Sequence, residues 1–475
     1  MACVLAALLA YSQTAAFAWD EGYHLLAEQL IALGKTPYLD FCFPQAPLNA
    51  WWNAMWMRIT GDTWREVHAL SAVVTAGTVW LSADFLRTRL PVAEWRLPAA
   101  IAAAILIGLH AEVLEYATTG QPYALTLLMI VAAFRVAVLA VGRTGLALTA
   151  TAGLLSSAGA ACSLLVAAAP LVLLIWLVLL DPTRRRLAKS LAFLAGAALP
   201  WLPVFWLFTR GPRQVFFNLF EYHMFYRRAN WEDATQNDWK VLAQWLISPQ
   251  ALLLGALAVG GLWAIARWSS WERMRRAEFL LCGWLAAAIG CELATAHPTF
   301  EWYFVLIIPF LAIPAAAGLP VVCSRIAPRV RPWQAVAVLS ILFSLGCARA
   351  LYSDRYTMTW PELESVARKV SQVTPPLGTL WSDEQIYFLT RRSPAEGTEL
   401  SYAEVIDLPP DLARILHIVP LEELDRRAAA GVFATVSTCE ESEQIEALGL
   451  PRIFRHQEAV GACHVFWDPV AEAIR

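Results

Sequence analysis

The chain has 475 residues, of which 58% are hydrophobic and only 16% are charged. Soluble domains hold about 45–50% apolar and about 25% charged residues, so this composition excludes a water-soluble fold. The formal net charge is -3, without the excess of Lys and Arg that neutralises nucleic-acid phosphates, and we expect no nucleic acid among the partners.

Apolar runs follow one another along most of the chain, and each is long enough to cross about 30 Å of hydrocarbon. They predict an α-helical polytopic membrane protein with about eleven spanning helices. Trp residues at many run ends fit rings placed at the level of lipid headgroups. The runs are 2–18, 66–86, 97–115, 122–141, 145–161, 163–180, 190–209, 250–267, 278–296, 302–322 and 333–350.

Lys and Arg residues fall in every second short loop, which sets the predicted orientation. Cytoplasmic loops carry the excess of Lys and Arg, which here lies in residues 87–96, 143, 184–189, 267–276 and 325–331, whereas loops 116–121 and 297–301 hold neither. The prediction is a multi-pass protein of the bacterial inner (plasma) membrane, with residues 19–65, 210–249 and the C-terminal tail in the periplasm. Residues 16–18 also resemble a signal-peptidase site, so cleavage of the first run stays open.

The composition turns to that of a soluble protein after residue 350. We therefore expect a transmembrane domain at 1–350, which includes a catalytic first periplasmic loop at 19–65, and a small periplasmic α/β domain at 351–475. Short buried strands are predicted at 378–382, 431–437 and 462–467, with a helix at 440–448. The nine Cys form no CxxC pair, but Cys439 and Cys463 can form a disulfide if the tail is periplasmic.

The first periplasmic loop carries a pair of acids where the chain leaves the bilayer. Asp20 can cap an amphipathic helix that lies on the membrane surface, and Gly34 follows as its stop. The apolar face of this helix is Leu25, Leu26, Leu30 and Leu33. A carboxylate at Asp20 or Glu21 can act as a general base towards an acceptor hydroxyl. The alternative is that Asp20 only caps the helix and Glu21 is a first-turn acid favoured by the helix dipole.

This loop resembles the C-type glycosyltransferase superfamily, in the bacterial branch related to protein O-mannosyltransferases and to the aminoarabinose and galacturonic acid transferases of lipopolysaccharide. The motifs are the acid pair Asp20-Glu21, then G-x-x-P-Y-x-D from Gly34 to Asp40, then P-Q-x-P-L from Pro44 to Leu48. The resemblance implies transfer of a sugar from a polyprenyl-phosphate donor to a periplasmic lipid, polysaccharide or protein acceptor. It also implies contact with membrane lipids.

The resemblance also implies roles for particular residues. Asp20 would be the catalytic or metal-contacting acid with Glu21 beside it, and Glu115 would be a second acid that orients the acceptor or helps Asp20 to hold a divalent metal ion. Where the family often has an Arg for the phosphate, this chain has His68, with Arg65 a turn earlier. The remaining substrate-binding candidates from these motifs are His24, Tyr38, Asp40, Gln45, Gln121 and Tyr123.

Two further groups of polar residues lie in predicted outer loops. Arg227 and Arg228 can clamp a polyprenyl phosphate, since guanidinium pairs bidentately with phosphate oxygens; generic attraction to anionic lipid headgroups is the alternative. His297, Glu301 and Tyr303 begin the tenth run and are either substrate contacts or interfacial anchors. Glu115 likewise can be a functional acid at membrane depth or an interfacial Glu.

Two other functions remain open from the sequence. A secondary transporter would also show many helices with a few intramembrane acids, although no inverted repeat is found here. A non-catalytic membrane sensor would use the tail as a binding module. The sequence does not name the sugar or the acceptor, and it does not distinguish inverting from retaining transfer.

Overall fold

The structure is a computed structural model, and it describes residues 1–183, 185–227, 234–267, 271–326, 329–353, 355, 358–404, 406, 408–439, 445–446 and 448–470. The side chains of residues 234–237 and 326 are outside this description. Arg228 and most of the predicted helix 440–448 therefore lie outside the described residues.

Helices occupy every one of the eleven predicted apolar runs. The α-helices up to residue 353 are Ala2–Thr14, Glu21–Ala32, Leu48–Thr60, Trp64–Arg89, Arg96–Gly108, Ala111–Tyr116, Tyr123–Ala140, Ala147–Cys162, Ala168–Leu180, Arg186–Ala198, Leu202–Arg210, Pro212–Phe216, Ala234–Ile247, Pro249–Arg267, Arg273–Thr295, Ile308–Ile326 and Pro332–Ser353. Short 3-10 helices lie at Ala93–Trp95, Leu164–Val166, Leu199–Trp201 and Glu301–Ile307. The class predicted from composition, a polytopic helical membrane protein, is confirmed.

Seven helical segments in the described part of the chain are long and apolar enough to cross a membrane. They are Trp64–Arg89, Tyr123–Ala140, Arg186–Arg210, Pro249–Arg267, Arg273–Thr295, Glu301–Arg325 and Pro332–Ser353. Ala2–Thr14, Ala147–Cys162 and Leu164–Leu180 are apolar but shorter. The predicted count of about eleven spans includes these three and the run 97–115, in which the structure has two helices, Arg96–Gly108 and Ala111–Tyr116.

Side chains from distant helices satisfy the backbone at two helix breaks. At the break after Gly108, Gln250 accepts a hydrogen bond from the Ala111 N–H at 2.9 Å and donates to the Leu109 carbonyl at 2.8 Å. At the break after Cys162, Glu292 accepts from the backbone N–H groups of Ala167 and Ala168. An unsatisfied backbone group in hydrocarbon costs several kcal/mol, so these contacts make the breaks tolerable.

Small residues allow close packing between pairs of helices. A side chain at Gly153 would overlap the carbonyl of Phe193, and one at Gly196 would overlap the carbonyl of Ala150. Gly261 meets the carbonyl of Pro314 in the same way. Membrane helices associate through such close contacts because lipid offers no hydrophobic drive for helix pairing.

By contacts between residues, the chain divides into two compact units. The first comprises Met1–Ala16, His68–Pro203 and Trp231–Tyr356, and the second comprises Phe17–Val67, Val204–Asn230 and Thr357–Arg475. The second unit therefore gathers the predicted first periplasmic loop, part of the predicted loop 210–249 and the C-terminal tail. The predicted domain border at residue 350 stays a prediction.

A four-stranded sheet forms the C-terminal part of the second unit. Its strands β1 (Leu380–Trp381), β2 (Thr435–Thr438), β3 (Phe454–Val460) and β4 (Cys463–Pro469) stand in the order β1-β2-β4-β3, with β1 and β2 parallel and the other pairs antiparallel. A disulfide joins Cys439 to Cys463. The helices around the sheet are Trp360–Val373, Glu384–Thr390, Ser401–Glu404, Pro410–Ile415, Leu421–Ala429 and Leu450–Ile453.

Two expectations about the outer segments are corrected. The helix predicted after Asp20 exists as Glu21–Ala32, but ten of its residues are buried, including Glu28 and Gln29, while Leu33 of the predicted apolar face is 72% exposed. It is therefore packed on most sides rather than on one face. The segment 210–249, predicted as a loop, is largely helical: it contains Pro212–Phe216, a π-helix at Phe217–Tyr226 and Ala234–Ile247.

Candidate active site

Asp20 immediately precedes the helix Glu21–Ala32 in the second unit, yet its side chain does not cap that helix. Its carboxylate instead accepts a hydrogen bond from the hydroxyl of Tyr402, with 2.8 Å between Oδ1 and Oη. The side chain is only partly buried. A cap would have tied the carboxylate to its own backbone, so this geometry disfavours the purely capping role and leaves the group able to meet a ligand.

Three consecutive residues around Asp20 are held by donors from the C-terminal part of the second unit. The Gln385 side chain donates to the carbonyl of Trp19 at 2.8 Å, and the Trp360 indole donates to Glu21 Oε2 at 3.1 Å. With the bond from Tyr402, each of residues 19, 20 and 21 has one such donor. Gly22 extends this contact, because a side chain there would overlap Gln385. The acid pair is therefore fixed in position by residues from far along the chain.

The electrostatic environment of Asp20 suits a base. Desolvation raises the pKa of its carboxyl group, while the hydrogen bond from Tyr402 and the positive charge of Arg227 lower it. The net result is a pKa above the ordinary value of an Asp. A carboxylate with a raised pKa accepts a proton more readily than an ordinary one, provided that the pH keeps it ionised.

Glu21 differs from its neighbour because it is fully buried, with 0% exposure, and bonded to the Trp360 indole. Its hydrogen bond with Trp360 holds the first residue of the helix Glu21–Ala32, directly next to Asp20. A direct part of Glu21 in chemistry stays a prediction.

The other candidates from the first loop divide into buried and exposed residues. His24 is 5% exposed and stacks on Tyr23, and burial lowers its pKa to about 3, so it is neutral. Tyr38 is fully buried and donates to the Gln45 carbonyl at 2.6 Å, with φ of 71°. Asp40 is exposed and accepts from the Thr36 N–H at 2.6 Å. Tyr38, Gln45 and Asp40 thus shape a turn in this structure, and their contact with substrate stays a prediction.

The π-helix Phe217–Tyr226 joins this turn through Asn218. The Asn218 carbonyl oxygen accepts from the Phe43 N–H at 2.8 Å and from the Cys42 thiol at 3.4 Å. Arg227 directly follows the π-helix and lies close enough to Asp20 to lower its pKa. The structure thus brings together Asp20 and Arg227, which the sequence had placed 207 residues apart in the chain.

Arg65 and His68, the candidates for phosphate contact, both have protein partners. Arg65 forms a salt bridge with Glu364 at 2.6 Å and lies over the Trp64 ring. His68, in the first unit, is fully buried with Nδ1 2.7 Å from the Ser12 carbonyl oxygen. Their role towards a phosphate stays a prediction.

The remaining candidates belong to the first unit. Glu115 lies beside Glu112 in the short helix Ala111–Tyr116, and the charges of the two acids act on each other. Gln121 and Tyr123 are buried at 3% and 4% exposure. His297 Nδ1 lies 2.6 Å from Asp238, Tyr303 is 7% exposed and Glu301 is exposed.

The metal site predicted on Asp20 and Glu115 stays a prediction, because the two residues belong to different compact units. Within the described parts of the chain, no group of three or more His, Cys, Asp and Glu side chains is placed to hold a metal ion. Two carboxylates alone are a sparse ligand set for a divalent cation, which takes four to eight donors.

Sequence reasoning missed Tyr402, Trp360 and Gln385, the residues that hold the acid pair. No motif surrounds Tyr402 or Gln385, and their function depends on contacts across more than 360 residues of chain. Trp360 had a local indication, since Thr359 and Glu362 form a capping box that marks the start of the helix Trp360–Val373.

The fold defines a class of protein: a polytopic helical membrane protein with a small C-terminal sheet. In its sequence a partly buried acid, Asp20, follows the first apolar helix. Comparison of the sequence with family models and with curated proteins finds no match. Solved structures do match. The chain is similar to ArnT from Cupriavidus metallidurans bound to undecaprenyl phosphate, with a TM-score of 0.69, 16% identity and coverage of 99% of this chain and 97% of that one.

The same ArnT in the apo state matches with a TM-score of 0.69 and 16% identity, over 98% of this chain and 96% of that one. The oligosaccharyltransferase of Archaeoglobus fulgidus, in complex with Zn and sulfate, matches with a TM-score of 0.54 and 16% identity, over 94% of this chain and 69% of that one. At this identity the likeness is one of fold. What the comparison shows is that this chain shares its fold with these proteins over most of its length.

Proposed function

We propose that this protein is a membrane glycosyltransferase that moves a sugar from a polyprenyl-phosphate donor to an acceptor on the outer side of the membrane. The observation that carries the proposal is the Asp20 carboxylate, held by a hydrogen bond from Tyr402, in a chain with the fold of ArnT over nearly its whole length. ArnT has been crystallised with undecaprenyl phosphate, which supports a donor of this chemical class.

Asp20 acts as the general base in this proposal. As the acceptor hydroxyl attacks the anomeric carbon, its proton passes to Asp20, the bond from the anomeric carbon to the phosphate oxygen breaks, and the polyprenyl phosphate leaves with the bonding electrons. Desolvation keeps the pKa of Asp20 above its ordinary value, so the carboxylate takes a proton more readily than an ordinary Asp. Tyr402 orients the carboxylate through its hydrogen bond.

Arg227 binds the donor phosphate in this proposal. Its positive charge acts on Asp20, so it lies near the proposed base. A guanidinium can pair with two phosphate oxygens at once and stabilise the charge that develops on the leaving group. Glu21, Glu115 and the remaining polar residues of the first loop are candidates for contact with sugar or acceptor. Arg228 stays a candidate without a structural description.

We place the protein in the bacterial inner membrane with the second unit on the periplasmic side. The absence of Lys and Arg from loops 116–121 and 297–301 supports this orientation. The disulfide between Cys439 and Cys463 supports it independently, since such bonds persist in oxidising compartments. The transporter alternative is not favoured by the fold, and the acceptor, whether lipid, polysaccharide or protein, is left open.

Replacement of Asp20 by Asn tests the proposal directly. The amide keeps the shape of the side chain but cannot take a proton, so we expect transfer to fall by about 100-fold or more. The measurement is mass spectrometry of envelope glycans from a deletion strain that carries either the wild type or Asp20→Asn. The variant should lack one sugar and accumulate one lipid-linked precursor, as the deletion does.

The matched control is Asp411→Asn, because the Asp411 side chain is 91% exposed in the same unit. This control should restore the sugar fully. An Asp20→Asn protein that is present in the membrane and restores the sugar as the wild type does would overturn the proposal.

A further inference from the structure

A cavity of about 330 Å³ lies among the C-terminal residues of the second unit. It is lined by Trp381 at the end of β1 and by Ser437 and Thr438 at the end of β2, the two parallel strands. In open α/β sheets, ligands bind outside the carboxyl ends of parallel strands. The volume falls in the range of about 300 to about 1,000 Å³ that small-molecule sites occupy, and it suits a ligand of one or two sugar rings.

The lining of this cavity is strongly acidic. Asp383, Glu384, Glu404 and Asp425 all contribute carboxyl groups to it. None of the described lining residues is Lys, Arg or His. A group of acids without a cation in the described lining favours a cationic occupant, because like charges in a poorly solvated site repel one another.

Glu404 shows the effect of this crowding most clearly. Burial raises its pKa to about 9, and the neighbouring carboxylates of Glu384, Asp383 and Asp425 contribute to the rise. Glu384 is already engaged with the N–H and hydroxyl of Ser401, both at 2.8 Å. These hydrogen bonds from Ser401 do not remove the repulsion between Glu404 and its acidic neighbours. A cation beside Glu404 would offset that repulsion.

Hydroxyl groups in the wall supply an independent indication of a ligand. Ser437 is 2% exposed, and within the described part of the chain its Oγ has no hydrogen-bond partner. Ser382 Oγ and Asp425 Oδ1 are buried without a partner in the same way. A buried polar atom without a partner costs about 1–3 kcal/mol, which a ligand with hydroxyl groups would recover.

A metal ion is a poor occupant of this cavity. The described residues contain no group of three or more His, Cys, Asp and Glu side chains placed to hold one. The wall also includes the apolar residues Leu421, Val436 and Leu450, which suit a carbon skeleton. We propose that the cavity binds a small hydroxylated amine of the size of an amino sugar, with its ammonium facing Glu404 and Asp425 and a hydroxyl bonded to Ser437.

This cavity is distinct from the Asp20 carboxylate but shares one element with its support. In the short helix Ser401–Glu404, the first and last residues line the cavity, whereas Tyr402 donates to Asp20. An occupant therefore binds next to the residue that orients the base. The proposal does not rest on glycosyl transfer, because binding is measured without any donor or acceptor.

Isothermal titration of the purified full-length chain in detergent tests the proposal. The probes are glucosamine, at a pH where its amine is protonated; glucose, which lacks the ammonium; and butylamine, which lacks the ring hydroxyls. We expect glucosamine to bind about tenfold or more tightly than either of the others, because only glucosamine meets both the carboxylates and the hydroxyls. Equal binding of glucose and glucosamine, or no binding of glucosamine, would overturn the proposal.

Two variants assign the binding to this cavity. Glu404→Gln and Ser437→Ala should each weaken glucosamine binding by about tenfold, since each removes one polar partner. The exposed Asp411→Asn should bind as the wild type does. Glucosamine binding that is unchanged in both cavity variants would place the ligand elsewhere and contradict the proposal.

Glu404→Gln is expected to remain folded. A carboxyl group whose pKa is raised in the folded state stabilises that state fully only below its ordinary pKa of about 4.5, and the contribution is lost as the pH rises towards about 9. The amide does not titrate, so the variant should melt at or above the wild-type temperature near about pH 8. Ser437→Ala replaces a buried hydroxyl without a partner and gives a second folded variant.

Discussion

Tyr402 contributes a single hydroxyl to the candidate site, and that hydroxyl acts on the pKa of Asp20. Its hydrogen bond lowers the pKa of a carboxyl group that desolvation raises. Tyr402→Phe should therefore raise the pKa of Asp20 further. Because the proposed base must be ionised, the acid limb of the pH profile of kcat/KM should move to higher pH, by about one to two units for a hydrogen bond to a charged group.

Tyr387→Phe is the matched control for this prediction. Tyr387 lies in the same unit, and its hydroxyl donates to the Leu380 carbonyl at 2.7 Å rather than to Asp20. Loss of that bond should reduce stability but leave the pH profile in place. A Tyr402→Phe enzyme that loses the same fraction of activity at every pH would show that Tyr402 serves only as a packing residue.

At this scale, the sequence could indicate Asp20 but not its partners. The acid pair stands in a recognisable local motif, whereas Tyr402 and Gln385 act through contacts between segments that are remote in the chain. Arg227 was predicted because positive charge in an outer segment is unusual. Its effect on the pKa of Asp20 depends on how close the two side chains are in the folded protein, which the sequence does not give.

Among the membrane helices, one close crossing has a glycine on each helix. Gly261 of the helix Pro249–Arg267 meets the carbonyl of Pro314 in the helix Ile308–Ile326, and the backbone of Gly318 lies close to it as well. Gly261→Ala should push these helices apart and destabilise the protein by about 1–3 kcal/mol. The measurement is the melting temperature of the purified protein in detergent.

The neighbouring residue gives the control. Gly260 has nothing within 4 Å of the position where a side chain would begin, so Gly260→Ala should leave the melting temperature unchanged or raise it slightly. Equal melting temperatures for Gly260→Ala and Gly261→Ala would disprove the importance of this crossing.

Element positions were more predictable than element ends. A membrane helix needs about 20 apolar residues, and a run of that length is easy to recognise in a sequence. All eleven predicted runs contain helices in the structure. The break at residues 109–110 was not predicted, because hydropathy continues through it and Gln250, which stabilises it, lies in a distant helix. Strand β3 was also missed, since most of its residues are exposed and carry no buried periodicity.

The orientation of the whole molecule can be tested with added cysteines. In a variant without the exposed Cys3 and Cys291, Leu377→Cys should react with a membrane-impermeant maleimide in cells whose outer membrane is permeable, because Leu377 is 99% exposed in the tail. Arg87→Cys, at a position whose side chain is 62% exposed, should react only after the inner membrane is opened. The reverse pattern would place Asp20 in the cytosol and contradict the proposed donor side.

The second unit combines segments that are far apart in the chain, so its parts are synthesised at different times. Asp20 is made before Tyr402, its hydrogen-bond donor, which comes 382 positions later in the chain. Ribosomes add about 5–20 residues per second, so this acid emerges many seconds before its donor exists. A nascent chain that stalls before residue 402 thus has the Asp20 carboxylate but not the hydroxyl that donates to it.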